Sequence, residues 1–200
     1  MKKYIITLTL LVSGYLIVLV GQSCHPCRSD SFYLRLRSIQ PTLKRITGVE
    51  RVSYSPKLIV ETFQNDSIGI RYDSLGIDIQ NELISINENT SHGISNLYAC
   101  KPAEKYDNLQ KVIITSSEDY TTGYPKGSNL TEIMLVREGF NADGQKIEPY
   151  MLNRSLYFGN YFFTFQTPPS EDKFHDITIK YILTNGREYF STIENVLIRK

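Results

Sequence analysis

The feature that most constrains the fold is a pair of β-favouring segments on either side of Asn185-Gly186. Apolar residues alternate with polar ones in Phe174–Leu183, and the second segment, Glu188–Thr192, begins directly after the turn. Alternation of period two is typical of a strand that buries one face. Asn followed by Gly favours a tight turn, because both residues tolerate positive φ. The sequence therefore predicts an antiparallel hairpin centred at Asn185-Gly186.

Short strands separated by turns are predicted through most of the remaining chain. Alternation or a short apolar run marks residues 32–39, 58–63, 77–79, 83–86, 97–100, 110–116, 161–165 and 196–198. Pro41–Ile46 is predicted to open a single helical turn that Gly48 stops. Roughly seven to nine short strands without a strong helical period predict an all-β fold, an antiparallel β-sandwich of immunoglobulin-like kind. A β-barrel is the alternative architecture.

The N-terminal residues have the composition of a secretion signal. Lys2 and Lys3 precede an uncharged, mostly apolar stretch, Tyr4–Ser23, and Cys24 follows it directly. A positive start, an apolar stretch and a small residue before Cys predict a bacterial lipoprotein signal, in which the Cys24 thiol receives diacylglycerol before cleavage. The alternative is an uncleaved transmembrane anchor, since about 20 uncharged residues can span a bilayer. Polar residues dilute the stretch, and this favours the lipoprotein.

Either interpretation places the rest of the chain outside the cytoplasm. We expect a signal peptide at 1–23, a tether at 24–31 and a single β-domain at 32–200. Acyl chains such as palmitate on Cys24 would anchor the protein in the cell envelope, at the periplasmic or the surface face of the outer membrane. Removing Lys2 and Lys3 from 22 basic side chains leaves 20 against 21 acidic ones. A near-neutral chain without a basic run is not expected to bind nucleic acid.

The three cysteines, Cys24, Cys27 and Cys100, leave one candidate disulfide if Cys24 is lipidated. Cys24-His25-Pro26-Cys27 has the C-x-x-C spacing of thioredoxin-type redox sites, but it follows a signal sequence rather than a strand of a βαβ unit. A lipidated Cys24 would carry a thioether, which excludes redox chemistry. A Cys27–Cys100 bridge would contribute about 4 kcal/mol in the chain-entropy model. The favoured alternative places Cys27 in a flexible tether and Cys100 as a small buried hydrophobe, because the sequence gives no distance between them.

No catalytic, metal or cofactor site is predicted. His25, His92 and His175 have no metal-ligand spacing with one another or with the cysteines. His175, beside Asp176, is expected to be a solvated residue at a strand edge. Asn141–Glu148 faintly resembles the start of a calcium loop, but a tight Asp-Gly turn is the favoured interpretation. The sequence has no G-x-S-x-G elbow and no phosphate-binding glycine loop. The acidic residues considered for a catalytic pair are expected in turns and hydrophilic ends, and they are Asp66, Asp73, Asp78, Glu118 and Asp119.

Two short patterns name candidate surface sites. In the aromatic cluster at 157–165, Tyr157 and Tyr161 are the candidate ligand-facing side chains, whereas the phenylalanines are expected in the core. Ser67 and Ser74 each follow Asp and precede an aliphatic residue, which resembles the O-glycosylation acceptor pattern of Bacteroides-type bacteria. The alternative for both serines is an Asx-type turn, in which Asp and Ser bond to nearby backbone.

The central and C-terminal segments together resemble a known family. Asn96–Pro102 is followed by Leu109–Ser116, then by Tyr124–Leu130 and by the hairpin around Asn185-Gly186. This order resembles that of a family of uncharacterised cell-envelope lipoproteins from Bacteroides-type bacteria, over most of the mature chain. The resemblance implies an envelope address and a relaxed lipoprotein signal. The family carries no assigned activity, so the resemblance implies no functional residue.

Two functions are expected from these observations. The signal, the strand pattern and the lack of a catalytic motif predict a non-enzymatic envelope lipoprotein whose β-domain serves binding or assembly, with an unidentified protein or glycan partner. The alternative is an envelope hydrolase acting on glycans, with acidic residues that the sequence cannot pair. Two carboxylates converging in a deep cleft would favour the enzyme, and a flat surface or an exposed sheet edge would favour the binding protein.

Overall fold

Eleven strands form two sheets in the part of the chain that the structure describes. The computed structural model describes residues 32–52, 55–64, 68–87, 105–152 and 161–200. In chain order the strands are β1 (Phe32–Val52), β2 (Ser55–Thr62), β3 (Ile70–Arg71), β4 (Leu75–Asn87), β5 (Lys105–Tyr106), β6 (Leu109–Ser116), β7 (Met134–Glu138), β8 (Gln145–Lys146), β9 (Tyr161–Phe165), β10 (Lys173–Leu183) and β11 (Glu188–Arg199). They are connected in part by one short helix, α1 (Ile147–Met151), and by two 3-10 turns, Tyr72–Ser74 and Thr131–Ile133.

Seven of these strands form the larger sheet, and four form the smaller one. The larger sheet has the order β2-β1-β4-β9-β7-β8, with β5 added beside β1, and it curls into a half-barrel. The smaller sheet has the order β3-β11-β10-β6. Most pairings are antiparallel, whereas β1 with β5 and β3 with β11 are parallel over two residue pairs each. The predicted all-β fold with antiparallel sheets is confirmed.

The predicted hairpin between β10 and β11 is confirmed, but only Gly186 of its turn takes positive φ. Gly186 has φ 81°, and its N–H donates to the carbonyl of Leu183 at 2.9 Å. Asn185 does not take positive φ, and it contributes to the turn through hydrogen bonds of its side chain. Its Oδ1 accepts from the backbone N–H of Arg187 at 3.0 Å, and its Nδ2 donates to Asp107 Oδ1 at 2.9 Å. The turn therefore also ties the hairpin to the segment before β6, which the Asn-Gly pattern does not predict.

One buried apolar cluster draws residues from both sheets. In β10 every second side chain is buried, because alternation places Ile177, Ile179 and Tyr181 on one face of the strand. Full burial of an aliphatic side chain of this size contributes roughly 1.5–3 kcal/mol relative to exposure. The alternation in the sequence thus marks the core face of the smaller sheet.

Strand β9 is buried on both of its faces. Phe163 belongs to the core cluster, whereas Phe162 faces the other side and packs edge-on against Phe140, with 5.3 Å between the ring centroids. Phe162 also lies over Gly76 of β4, where an added Cβ would come within 1.9 Å of the ring's Cζ. Glycine is therefore required at position 76, and the phenylalanines of β9 are buried as the sequence predicts.

The predicted helical turn at Pro41–Ile46 is wrong, because these residues belong to the 21-residue strand β1. Ile39 and Leu43 are buried in the core, and the later half of β1 pairs with β2. Cross-strand pairing and burial outweigh a weak local helix signal. The register between β1 and β2 shifts between Ile46 and Gly48, so Gly48 lies at a β-bulge rather than at a helix end.

Apart from Phe32 and Asn87, the described residues belong to one compact unit. None of the helices in the described ranges is long and apolar enough to cross a membrane. Residues 1–31, which carry the predicted signal and tether, lie outside those ranges.

Candidate functional site

Most of the predicted site residues lie outside the described residues. They are the lipidation site Cys24, the cysteines Cys27 and Cys100, the glycosylation candidate Ser67 and the aromatic Tyr157. The predictions for these residues stay predictions. Tyr161 and Ser74 are the two candidates that the structure places.

The structure corrects the expectation that Tyr161 faces a ligand, because this side chain is buried with only 2% exposed. Tyr161 begins β9, which lies between β4 and β7 within the larger sheet. It belongs to the core cluster together with Phe163. A strand with a neighbour on each side and both faces covered uses its aromatic residues to fill the interior.

His175, expected as a solvated edge residue, is buried instead, with 1% exposed. Its Nδ1 lies 2.7 Å from Oγ of Ser116, at the end of the neighbouring strand β6. Ser116 Oγ also accepts from the backbone N–H of Glu118 at 3.1 Å. A serine and a histidine at this distance resemble a nucleophile and its base. Both are buried, so the pair joins β6 to β10 and offers no accessible nucleophile.

The surroundings of His175 favour its neutral form. Burial, followed by the charge of Lys173, lowers the pKa of His175 below its ordinary value of 6.5. The carboxylates of Glu118 and Asp176 act in the opposite direction. Within the described part of the chain, Nε2 is buried without a hydrogen-bond partner, and the ring of Tyr120 lies 5.7 Å away between centroids. Protonation would therefore place an uncompensated charge in the interior.

The buried carboxylates in the described ranges, Asp78 and Asp107, have different environments. Asp107 accepts hydrogen bonds from the hydroxyl of Tyr33, from the backbone N–H of Leu36 at 3.0 Å and from Asn185. The bond to Asp107 is the main reason that the pKa of Tyr33 is raised. Oδ1 of Asp78 has no partner among these residues, and burial raises the pKa of Asp78. No group of three or more His, Cys, Asp or Glu side chains in the described ranges could hold a metal ion.

An open groove of about 370 Å³ lies where β1, β3 and the end of β11 approach one another. Its charged lining consists of Arg45, Arg71 and Arg199, one from each of these strands. No carboxylate is among the described residues that line it. Ile46 and Ile70 supply apolar surface, and Thr47, Ser74 and Gly69 complete the lining. We call this feature the arginine groove.

Arg71 and Arg199 are direct neighbours across the parallel pair of β3 and β11. The preceding pair in the register, Ile70 and Ile198, is buried, whereas both arginines are exposed. Like charges directly opposite each other in a sheet repel and weaken the pairing. Arg71 and Arg199 in register, with Arg45 on the same groove, offer N–H donors that an anion can accept.

Each of the three arginines is paired with a carboxylate that does not line the arginine groove. The pairs are Arg45 with Glu61 at 3.4 Å, Arg71 with Asp73 at 2.8 Å and Arg199 with Asp172 at 3.3 Å. The six side chains are between 39% and 64% exposed. Surface pairs of this kind contribute about 0–1 kcal/mol. Each pair uses one nitrogen of its guanidinium, so other N–H groups remain for an anion that enters the groove.

Two further contacts order the groove. The guanidinium of Arg45 stacks over the buried ring of Phe63, with 4.9 Å between Cζ and the ring centroid. Ser74, the glycosylation candidate that the structure describes, is half-buried at the end of a 3-10 turn and lines the groove. Its Oγ donates to Asp73 Oδ1 at 3.2 Å, so it supports the carboxylate that holds Arg71.

The sequence does not predict the arginine groove. β3 has only two residues, so no period identifies it as a strand. Arg45 lies in the segment predicted as a helical turn, and single arginines such as Arg71 and Arg199 are typical of a solvated face. The three residues come together only because β3 pairs with β11 beside β1.

Comparison with known proteins gives no match: no protein-family model, no curated protein and no solved structure matches this chain. The resemblance to Bacteroides-type lipoproteins stays a prediction from the sequence. The functional conclusion rests on the geometry of the arginine groove and on the predicted signal.

Proposed function

We propose that this protein is a lipid-anchored, non-enzymatic binding protein of the bacterial cell envelope, and that the arginine groove is its ligand-binding site. The observation that supports the binding role is the registered pair of Arg71 and Arg199 beside Arg45. Two like charges in register weaken an isolated domain. Asp73 and Asp172 already offset part of that repulsion, and an anionic ligand between the two arginines would offset more of it.

The positive charge of the groove is local. The whole chain has a formal net charge of +1 at pH 7, so the groove is not part of a generally basic surface. This favours a defined anionic ligand, carried by a glycan or protein partner with acidic groups, over unspecific attraction to polyanions. Nucleic acid is not part of the proposal, because a long phosphate backbone is bound by extended basic surfaces.

The envelope address is supported by the sequence. Lys2, Lys3 and the apolar stretch before Cys24 form the predicted lipoprotein signal, and the family resemblance implies the same address. Two or more acyl chains on Cys24 would anchor the protein stably in the outer membrane. A Cys27–Cys100 disulfide and glycosylation at Ser67 or Ser74 stay predictions.

Anchoring is tested by the substitution Cys24→Ala in the full chain. We expect the variant to lose incorporation of labelled palmitate and to accumulate as the unprocessed precursor, because the acylated thiol is gone. Cys27→Ala is the matched control and should keep the label. Equal labelling of Cys24→Ala and the parent protein would refute the lipid anchor.

Binding is tested by retention of the detergent-purified full chain on dextran sulfate, compared with neutral dextran. The parent protein should be retained on dextran sulfate alone and should elute as salt screens the charges. Arg71→Gln and Arg199→Gln should each lower the eluting salt concentration. Arg51→Gln removes the same charge from an exposed position of β1 that does not line the groove, and it should elute with the parent. If all three variants elute alike, the groove is not the anion-binding site.

The alternative expected from the sequence, an envelope hydrolase acting on glycans, has no specific observation in its favour among the described residues. Ser116 and His175 are both buried, and the buried carboxylates Asp78 and Asp107 lie on different segments, in β4 and between β5 and β6. We therefore propose the binding function alone.

A further inference from the structure

We infer that the arginine groove recognises a tetrahedral oxyanion, a phosphate or sulfate ester on a small organic molecule. The inference names the ligand class for the proposed function and rests on it. It is carried by the number and origin of the donors, by the way Arg45 is held and by the apolar part of the lining.

Arg45, Arg71 and Arg199 come from three different strands and line one groove. A carboxylate has two oxygens in one plane, and a single arginine in fork geometry can satisfy both. A phosphate or sulfate ester has three terminal oxygens that point in three directions. Donors arriving separately from β1, β3 and β11 match the second arrangement.

Each guanidinium still has donors to offer. A guanidinium carries five N–H groups on three nitrogens. The ion pair of Arg45 uses Nη1, that of Arg71 uses Nη2 and that of Arg199 uses Nε. The remaining N–H groups can bind an oxyanion while the carboxylates keep the side chains in place.

Arg45 is held ready before a ligand arrives. Its guanidinium lies over the ring of Phe63, with 4.9 Å between Cζ and the ring centroid, and this contact holds the charge in position. Side chains ordered in advance lose less entropy on binding, so this contact raises affinity. A lysine at this position would keep the charge without the planar stacking.

The rest of the groove fits an organic group. A volume of about 370 Å³ lies near the lower end of the range for small-molecule sites, roughly 300–1,000 Å³. Ile46 and Ile70 offer apolar contact, and Thr47 and Ser74 offer hydroxyl groups. A phosphorylated or sulfated sugar unit presents both kinds of surface.

The test uses isothermal titration of the detergent-purified full chain with four matched sugars: glucose 6-phosphate, glucose 6-sulfate, glucuronate and glucose. We expect the two tetrahedral esters to bind at least about tenfold more tightly than glucuronate, because the third oxygen adds a charge-assisted hydrogen bond. Glucose should show no measurable binding. A pH series separates the two esters, since a phosphate ester gains its second charge near pH 6 and a sulfate ester does not.

Single substitutions test whether the ester binds in the arginine groove. Arg71→Gln and Arg199→Gln should each weaken binding of the preferred ester by about tenfold or more, and Arg51→Gln should leave it unchanged. Arg45→Lys should also weaken it, because the stacked plane is lost while the charge is kept. Unchanged thermal melting of each variant shows that the domain is intact.

Glucuronate binding as tightly as both esters, with retention on dextran sulfate preserved, would overturn the oxyanion inference and leave the proposed function standing. If the parent protein binds neither ester and is not retained on dextran sulfate, both the oxyanion inference and the proposed function are refuted. Ester binding that survives both Arg71→Gln and Arg199→Gln would place the oxyanion site elsewhere and refute the inference.

Discussion

Asp107 joins three separated parts of the described chain, and its removal tests how much that junction stabilises the fold. The carboxylate is buried, with 2% of the residue exposed. It accepts from the Tyr33 hydroxyl and the Leu36 N–H in β1 and from the Asn185 side chain in the closing hairpin. Asp107→Ala removes every one of these acceptors and keeps the backbone unchanged.

The magnitude follows from the burial of each donor. A hydrogen bond to a charged group contributes about 1.5–3 kcal/mol, and a buried donor without an acceptor keeps its full desolvation cost. The Leu36 bond is buried, whereas those of Tyr33 and Asn185 are partly exposed, so water replaces part of their loss. We expect Asp107→Ala to lower the free energy of unfolding by about 3–4 kcal/mol, a large share of the roughly 5–15 kcal/mol of a typical domain.

Urea unfolding followed by far-UV circular dichroism measures this loss, since the chain has 14 tyrosines and no tryptophan as a fluorescent probe. With a slope of about 1–3 kcal/mol per molar urea, the midpoint should fall by at least about 1 M. Glu50→Ala, at an exposed carboxylate of β1, is the control and should change stability by less than about 0.5 kcal/mol. A loss below about 1 kcal/mol for Asp107→Ala would refute the reasoning.

Two further predictions concern the core and the buried histidine. Gly76→Ala should destabilise the domain by about 1–3 kcal/mol, because the added Cβ would clash with the ring of Phe162. Gly123→Ala is the control and should cost far less, because the Cβ added there would lie 3.9 Å from Thr121 Oγ1. Urea unfolding of the two variants compares their stabilities. Because burial lowers the pKa of His175 in the folded state, the unfolded chain binds the proton more readily, so stability is full above pH 6.5 and falls as pH drops through the lowered folded value. His175→Gln should flatten the change in urea midpoint between pH 7 and pH 5, and a slope equal to that of the parent would contradict this account.

The strands that the sequence predicts best are those whose pattern is local. Phe174–Leu183 alternates along its whole length and lies in the middle of the smaller sheet, with one face buried and the other mostly half-buried. Asn185-Gly186 encodes its own turn through the positive φ of Gly186. Sequence reasoning succeeds here because neighbours in the chain supply the decisive interactions.

Features set by distant pairing could not be predicted. Pro41–Ile46 has a local helix signal, yet it extends as a strand because the other strands of the larger sheet provide hydrogen bonds and burial. The sequence predicts that His175 is a solvated edge residue, because it does not show that the fold places Ser116 beside it. Arg71 and Arg199 become a site only through the two-residue strand β3, which no periodicity can reveal.

The long strand β1 has a consequence for how the chain reaches its native state. Its first residues pair with β5, and its contacts to Asp107 span 71 and 74 positions of sequence. Asp107 is in turn joined to the closing hairpin across a further 78 positions. Contacts of such high sequence separation slow folding, because loop entropy is lost before any of them forms. We therefore expect the junction at Asp107 to form in a slow step of folding.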